Sequence, residues 1–206
     1  MWLDAVESGQ ELPARIIFAT MRRFGRTEVP AVMKVVCYRN RYFGTPLSDL
    51  IQDAMRGPSF WTVAEREIFA TRASQFNECP FCVSAHHGIA AAYIAENLVD
   101  EALADGDDSP LRPEARAMLE FVGKMVRDPD GLSPGEADKV RAAGVTAEAF
   151  DEALWVVTLF NVINRAMNAV GAEALEASQA RIGARFIKAF GYRTPPPVRY
   201  LSRGAR

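Results

Sequence analysis

Apolar residues recur at three- and four-residue spacing along almost all of this 206-residue chain, and no segment alternates apolar with polar residues as a half-buried strand would. PARIIFATMRRF and VPAVMKVVCYRNRYF both carry the helical spacing, and a glycine follows each. PLSDLIQDAM predicts a third helix, stopped by Gly57-Pro58. Thr62 and Glu65 form a capping box, in which each side chain bonds the other's backbone N–H, and so open a helix to about Asn77. The next helix starts at Pro80 and runs to about Ile94, and Glu101 to Pro113 reads as a loop around a short turn. PEARAMLEFVGKMVRD is amphipathic, Ser133-Pro134-Gly135-Glu136 repeats the capping box, and two further helices are expected from Thr146 to about Val170 and from Ala172 to Phe190. RTPPPVRY reads as extended, because proline cannot donate to a helix. The prediction is an all-α protein, with one domain over residues 1–195 and an extended basic tail over 196–206.

Charge excludes some roles. The net charge of −2 points away from a nucleic-acid binder. No Asp or Glu follows Ala177, whereas Arg181, Arg185, Lys188, Arg193, Arg199, Arg203 and Arg206 do. Those basic residues read as a solvated helix face and a terminal arm packed on another subunit, in preference to an anionic-surface binder. The first residues, MWLDAVESGQELP, are acidic where a signal peptide would be basic and apolar. The most apolar helix, EALWVVTLFNVINRAMNAV, is interrupted by asparagines and an arginine, so no membrane contact is expected. The expected location is the cytoplasm. In a reducing compartment a Cys-x-x-Cys pair is more often catalytic or metal-binding than a structural staple.

That pair lies in FNECPFCVSAHHGIA, residues 76–90, which holds two of the three cysteines and both histidines. With Pro80 at the first helical position, Cys79 is the N-cap and Cys82 lies one turn inside, both near the positive end of the helix dipole. His86, four residues past Cys82, shares its helical face and can take the thiol proton. His87 lies about 100° away and is the weaker candidate. Glu78 opposes a negative charge on its neighbour Cys79, so Cys82 is the expected attacking thiolate and Cys79 the resolving thiol. The chemistry such a pair supports is attack on a hydroperoxide, formation of a sulfenic acid, closure to a disulfide, and reduction by an external dithiol. Two other roles fit the same residues. C-x2-C-x3-H-H offers zinc ligands, although all four would come from one helix end with no second Cys/His pair elsewhere. The thiols could also be inert packing. Cys37, within AVMKVVCYRN, reads as a buried core thiol.

EREIFATRASQFNECPFCVSAHHGIA resembles the core motif of the alkylhydroperoxidase D-like, carboxymuconolactone decarboxylase superfamily: a glutamate twelve residues before a CxxC pair and a histidine four after it. The resemblance is strong over residues 61–95. RDPDGLSPGEADKVRAAGVTAEAFDEALWVVTLFNVINRAMNAVG is similar to the peroxidase-related branch, and a looser likeness covers most of the chain. The resemblance implies an all-α homo-oligomer, dimer, trimer or hexamer. It also implies Cys82 as peroxidatic thiol, Cys79 as resolving thiol, and His86 with Glu67 as proton relay. Glu67 enters on the resemblance alone. By spacing it is a surface charge beside Glu65, and in a simple antiparallel hairpin it would meet Ile89 rather than His86. Some members carry a histidine just before the second cysteine, where this chain has Phe81, so a relay through that extra imidazole cannot operate. The decarboxylase branch lacks the CxxC pair, which disfavours decarboxylation.

In the long helix DEALWVVTLFNVINRAMNAV, Thr158, Asn161, Asn164, Arg165 and Asn168 line one face while nearly everything else is apolar. The stripe either borders the thiol pocket, with Asn161, Asn164 and Arg165 binding substrate, or forms a satisfied hydrogen-bond network in a subunit interface. The expected activity is a thiol-dependent peroxidase acting on organic or hydrogen peroxides. Its competitors are a protein thiol–disulfide oxidoreductase using the same pair and a non-enzymatic zinc-binding helical module. No flavin, haem or nucleotide motif is present, so no cofactor is expected.

Overall fold

The helix that orders the molecule is the one opened by the Thr62 capping box. In the computed structural model, which describes residues 3–24, 28–104 and 109–201, it spans Val63–Phe76, and every residue from Ala64 to Ser74 is buried. This is α5 in chain order. Before it come α1 (Asp4–Ser8), α2 (Leu12–Phe24), α3 (Ala31–Tyr38), a π-helical turn at Asn40–Gly44 and α4 (Thr45–Arg56). After it come α6 (Pro80–Ala90), α7 (Glu96–Leu103), α8 (Pro113–Arg127), α9 (Pro134–Ala142), α10 (Ala147–Ala169), α11 (Ala177–Phe190) and α12 (Pro196–Leu201). The described residues contain no strand, and none of their helices is long and apolar enough to cross a membrane. The all-α expectation therefore holds.

Helix α5 is surrounded by α4, α6, α7, α8 and α10. Its apolar residues Ile68, Phe69, Ala70 and Ala73 enter the main core with Trp61, Met118, Val156 and Phe160. Each large side chain buried there contributes about 2–3 kcal/mol relative to exposure. An axial helix has no solvent face, so its charged residues must be satisfied inside. Glu65 bonds the Thr62 N–H at 2.8 Å and the Arg112 Nε at 2.7 Å, and Arg66 donates to the carbonyls of Ala54 and Gly57 at 3.0 and 2.9 Å. Glu67, fully buried, belongs to the site described below.

Several boundaries depart from the sequence pattern for local reasons. The segment after α3 does not run on as one helix: it breaks at Arg39, and Asn40 becomes buried as Nδ2 donates to the Val198 carbonyl at 3.1 Å while Oδ1 accepts from Thr45. Glu101 to Leu103 is helical rather than loop, because Val99 and Ala102 bury one face of α7. Residues 105–108 of the expected loop lie outside the described residues. Helix α6 ends at Ala90, and α11 begins at Ala177 behind its own capping box, with Glu176 N–H donating to Gln179 at 3.1 Å.

The tail is also corrected. Pro196–Leu201 is a short helix, not an extended arm: Pro196 and Pro197 stand in the first turn, where a missing N–H costs no helix bond. It packs on its own chain. Val198 joins Ala14, Phe18, Val29 and Cys37 in a second core cluster, while Arg199 forks onto Asp49 at 2.5 and 2.7 Å. Arg203 and Arg206 lie outside the described residues.

Candidate active site

The turn between α5 and α6 positions the cysteines. Asn77 ends α5, and Glu78 takes a left-handed conformation (φ 52°) that a non-glycine residue adopts at a cost of about 1 kcal/mol. The Glu78 N–H then donates to the Gln75 carbonyl and the Cys79 N–H to Ser74, both at 3.0 Å, which closes α5 as a Schellman motif. Cys79 is thus both the residue that seals α5 and the N-cap of α6. Pro80 occupies the first helical position, as its sequence position predicts.

From α10, a row of asparagines grips this turn. The Asn77 Nδ2 donates to Asn161 and Asn164 at 2.8 and 3.2 Å, Asn164 Nδ2 donates to Ser74 Oγ at 2.9 Å, and Asn168 Nδ2 donates to the Asn77 carbonyl at 2.9 Å. Asn164 is fully buried, and its side chain favours the thiolate form of both cysteines. The stripe is therefore split: Asn161, Asn164 and Asn168 form a network within the chain that fixes the thiol turn. Arg165 is exposed and bonds the Asn161 carbonyl at 2.8 Å, and Thr158 lies on the exposed face. That outer face also carries Trp155 and Val162, which the apolar pattern places in the interior.

The two thiols are unequal. The Cys79 thiol is lowered to about 7, chiefly because the Cys82 side chain donates to it, with the Cys82 backbone N–H and Asn164 adding to this against the cost of burial. The Cys82 thiol is raised, first by serving as that donor and then by burial. These directions make Cys79 the more acidic sulfur, whereas the sequence reading expects Cys82 as the attacking thiolate. That reading rests on Glu78, which is exposed, so its charge is screened by water. A cleft of about 490 Å³ borders the same residue, which is itself 0% exposed: Cys79 lies in its wall with Gln75, Pro80, Val83, His87 and Ala174. Gln75 Oε1 in that wall is buried without a hydrogen-bond partner. Cys37 is buried in the second core cluster, where burial pushes its thiol up to about 12, while Cys79 and Cys82 are buried in the main cluster among the groups described above.

Asn164 is the lever on this charge that least disturbs the sulfurs themselves. Asn164→Leu removes one donor to Cys79 and loosens the turn, so the thiol should ionise at higher pH, and alkylation near neutrality should slow by about tenfold. The pH dependence of iodoacetamide labelling, resolved by peptide mass, checks this, with Cys37 as the unreactive internal reference.

Behind the thiols, α5 and α6 bring together Glu67 and His86. Glu67 Oε2 lies 2.7 Å from His86 Nδ1, so the two helices do not form the simple antiparallel hairpin in which Glu67 would meet Ile89. Burial raises the Glu67 carboxyl, but the hydrogen bond from His86, then the Arg56 charge and the Tyr192 hydrogen bond, hold it below the usual carboxylate range. With Nδ1 turned to the carboxylate, Nε2 is the ring nitrogen left for a second partner. His86 also stands edge-on to Phe160, 4.4 Å between ring centres. His87 points elsewhere and pairs with Asp100 at 2.7 Å.

Two residues at this centre carry no local sequence signal. Arg56 Nη2 lies 2.7 Å from Glu67 Oε1, and Tyr192 Oη donates to both Glu67 oxygens at 2.8 and 3.0 Å. They arrive from the end of α4 and from the segment after α11, so only the tertiary fold unites them with the motif.

No protein-family model matches the chain, and no curated protein matches it in sequence. Solved structures do match. A peroxidase-related protein from Silicibacter sp. superposes with a TM-score of 0.71 at 23% identity, over 87% of this chain and 95% of that one. An alkylhydroperoxidase AhpD core, a peroxidase-related protein from Ralstonia eutropha, gives 0.66 at 22% identity over 85% and 93%. The debrominase Bmp8 gives 0.64 at 19% identity over 85% and 92%, and a cysteine-to-alanine variant of it has been solved with 2,3,4-tribromopyrrole.

Proposed function

On the alkylhydroperoxidase D-like fold that this chain has, we propose that Cys79 and Cys82 run a dithiol peroxidase cycle with His86 and Glu67 as its proton relay. The observation that carries this is Cys79, the sulfur with the depressed pKa, which borders the cleft at the start of α6. In the first step the Cys79 thiolate attacks the distal oxygen of a hydroperoxide. The O–O bond breaks, a solvent proton goes to the leaving alkoxide, and Cys79 becomes a sulfenic acid while alcohol or water departs. Gln75 Oε1 offers an acceptor for the hydroperoxide O–H. In the second step Cys82 gives its proton to His86 Nε2 and attacks the Cys79 sulfur. The S–O bond breaks, and the proton leaves with hydroxide as water. An external dithiol then reduces the disulfide by exchange and is itself oxidised. This order inverts the peroxidatic and resolving roles that the resemblance implies, and it rests on the donors around Cys79 rather than on the motif.

Asn164 supports the site by holding the turn and favouring the thiolates, and Asn161 assists it through Asn77. The exposed row Ile182, Phe186 and Phe190 on α11 supports a homo-oligomer, since large apolar side chains four residues apart rarely face water without a partner.

Thiol counting tests the proposal. One equivalent of cumene hydroperoxide should remove two of the three thiols as an internal disulfide, read by alkylation and intact mass, with Cys37 still free. If the pair oxidises only with a disulfide substrate, the protein is an exchange enzyme. The Bmp8 likeness and the apolar wall of Pro80, Val83 and Ala174 favour one second electrophile, a brominated aromatic ring. Release of bromide with closure of the same disulfide would establish that activity in its place.

A further inference from the structure

The relay above leaves two of the groups on Glu67 without a task. We infer that Arg56 and Tyr192 are positioning residues that apportion the charge of Glu67, so that His86 stands as an uncharged, oriented proton acceptor. A buried carboxylate bonded to an imidazole alone would draw a second proton onto the ring, because an ion pair is strongly favoured away from water. An imidazolium has no lone pair and cannot take a thiol proton. Arg56 supplies the countercharge in its place, 2.7 Å from Oε1. Tyr192 Oη fills the remaining acceptor sites on both oxygens, and its ring stacks on His86 at 6.1 Å and 22°.

Arg56 donates through Nη1 to the Met55 carbonyl at 2.8 Å, and its other donors are less well served. Its Nε is buried with no partner, and its Nη2 meets Glu67 by distance without an aligned hydrogen bond. The guanidinium lies over Tyr192 and Tyr93, 4.8 and 5.6 Å from the ring centres. An arginine kept for packing alone would turn its donors to water, and Arg56 keeps its charge on the carboxylate.

Delivery of Tyr192 is equally specific. Gly191 adopts φ 72°, and a Cβ there would lie 2.2 Å from Gln52 Oε1. The Tyr192 N–H bonds that same oxygen at 2.6 Å, and Thr194 meets Ser48 at 2.7 Å. The groups on His86 are Glu67 from α5 and Tyr192 from the C-terminal segment, with Arg56 from α4 acting through Glu67; of the other helices packed on α6, α7 sets Asp100 on His87 and α11 sets Lys188 on the Ala92 carbonyl. The α10 face offers only the uncharged Phe160. Burial and then the Glu67 charge hold the Tyr192 hydroxyl well above its ordinary range, so it remains a donor.

For its kinetic readout this inference rests on the peroxidase reading. Tyr192→Phe removes one oxygen from a folded protein. The rate of peroxide-driven disulfide closure should fall about tenfold at neutral pH and recover at alkaline pH, because the acid limb moves upward as Glu67 turns its charge to His86. Arg56→Gln should move it further, with Arg56→Lys partly restoring it. Arg56→Gln can fail to fold, and Tyr192→Phe then decides alone. Histidine-ring NMR on the unreacted protein reads the same effect without turnover: the His86 midpoint should rise in the variants while His87 stays fixed. A rate lost equally at every pH, or a His86 titration that overlays the wild type, overturns the inference. If the wild type closes no disulfide with peroxide, the peroxidase reading falls, and the NMR titration still decides the role of Arg56 and Tyr192.

Discussion

Cys79→Ser should abolish reaction with hydroperoxide, whereas Cys82→Ser should stop it at a sulfenic acid on Cys79 that dimedone traps. The asymmetry follows from where the charge sits. Cys79 accepts from the Cys82 side chain, the Cys82 backbone N–H and Asn164, and its thiol is lowered to about 7. More of it is therefore thiolate at neutral pH than of an ordinary thiol near 8.5. Serine at position 82 still offers a backbone N–H and a hydroxyl, so Cys79 keeps most of its donors and its nucleophilicity. It loses only the partner that would close the disulfide.

Serine at position 79 removes the nucleophile from the cleft. Cys82 remains, raised by burial and by its donor role, with its proton still to be taken by His86. Alkylation before and after peroxide, with peptide mapping, separates these outcomes. A sulfenic acid found on Cys82 in Cys79→Ser would restore the order implied by the family resemblance and overturn the one derived from the donors around Cys79.

The difference between those two orders shows what the sequence could and could not carry. Helix starts were legible because they are local: Thr62 with Glu65 and Ser133 with Glu136 make the bonds their spacing predicts, at 2.8 and 2.9 Å to the cap N–H. The reach from His86 to Glu67 was not local. Spacing set Glu67 on a surface, and the resemblance alone placed it near His86, where it is fully buried. The charge of Glu78 was legible but its exposure was not, and exposure decides whether a charge one residue away matters. Arg56 and Tyr192 could not be found at all. They stand 11 residues before and 125 after Glu67, outside any motif, and only the packing of α4 and the C-terminal segment against α5 aims them at one carboxylate. On α10, periodicity located the polar face correctly, yet it could not separate the inward Asn164 from the exposed Arg165, one step round the helix.

Glu67→Leu should be the most damaging single change outside the cysteines, and its two effects are separable. Leucine approximates the volume but leaves the Arg56 guanidinium, 11% exposed, without its counterion. Removing one partner of such a pair typically costs about 3–5 kcal/mol. Adding Arg56→Met removes the stranded charge and should return most of that stability in urea unfolding. The rate of disulfide closure should not return, because His86 Nδ1 still lacks its acceptor, and loss of an oriented general base costs about 10²–10⁴-fold.

The pH dependence of stability gives a further check. Burial raises the Glu67 carboxyl, and His86, Arg56 and Tyr192 together lower it below its unfolded value. A carboxyl depressed by folding contributes stability that is full above the unfolded pKa of about 4.3 and is lost as pH falls through the folded value. The wild type should therefore lose this contribution only in the acid range, and the double variant should show a shallower acid limb with the same stability near neutrality. If the double variant recovers both stability and rate, Glu67 is a structural counterion and the proton relay must lie elsewhere. If it recovers stability alone, the carboxylate is held in the core for what it does to His86.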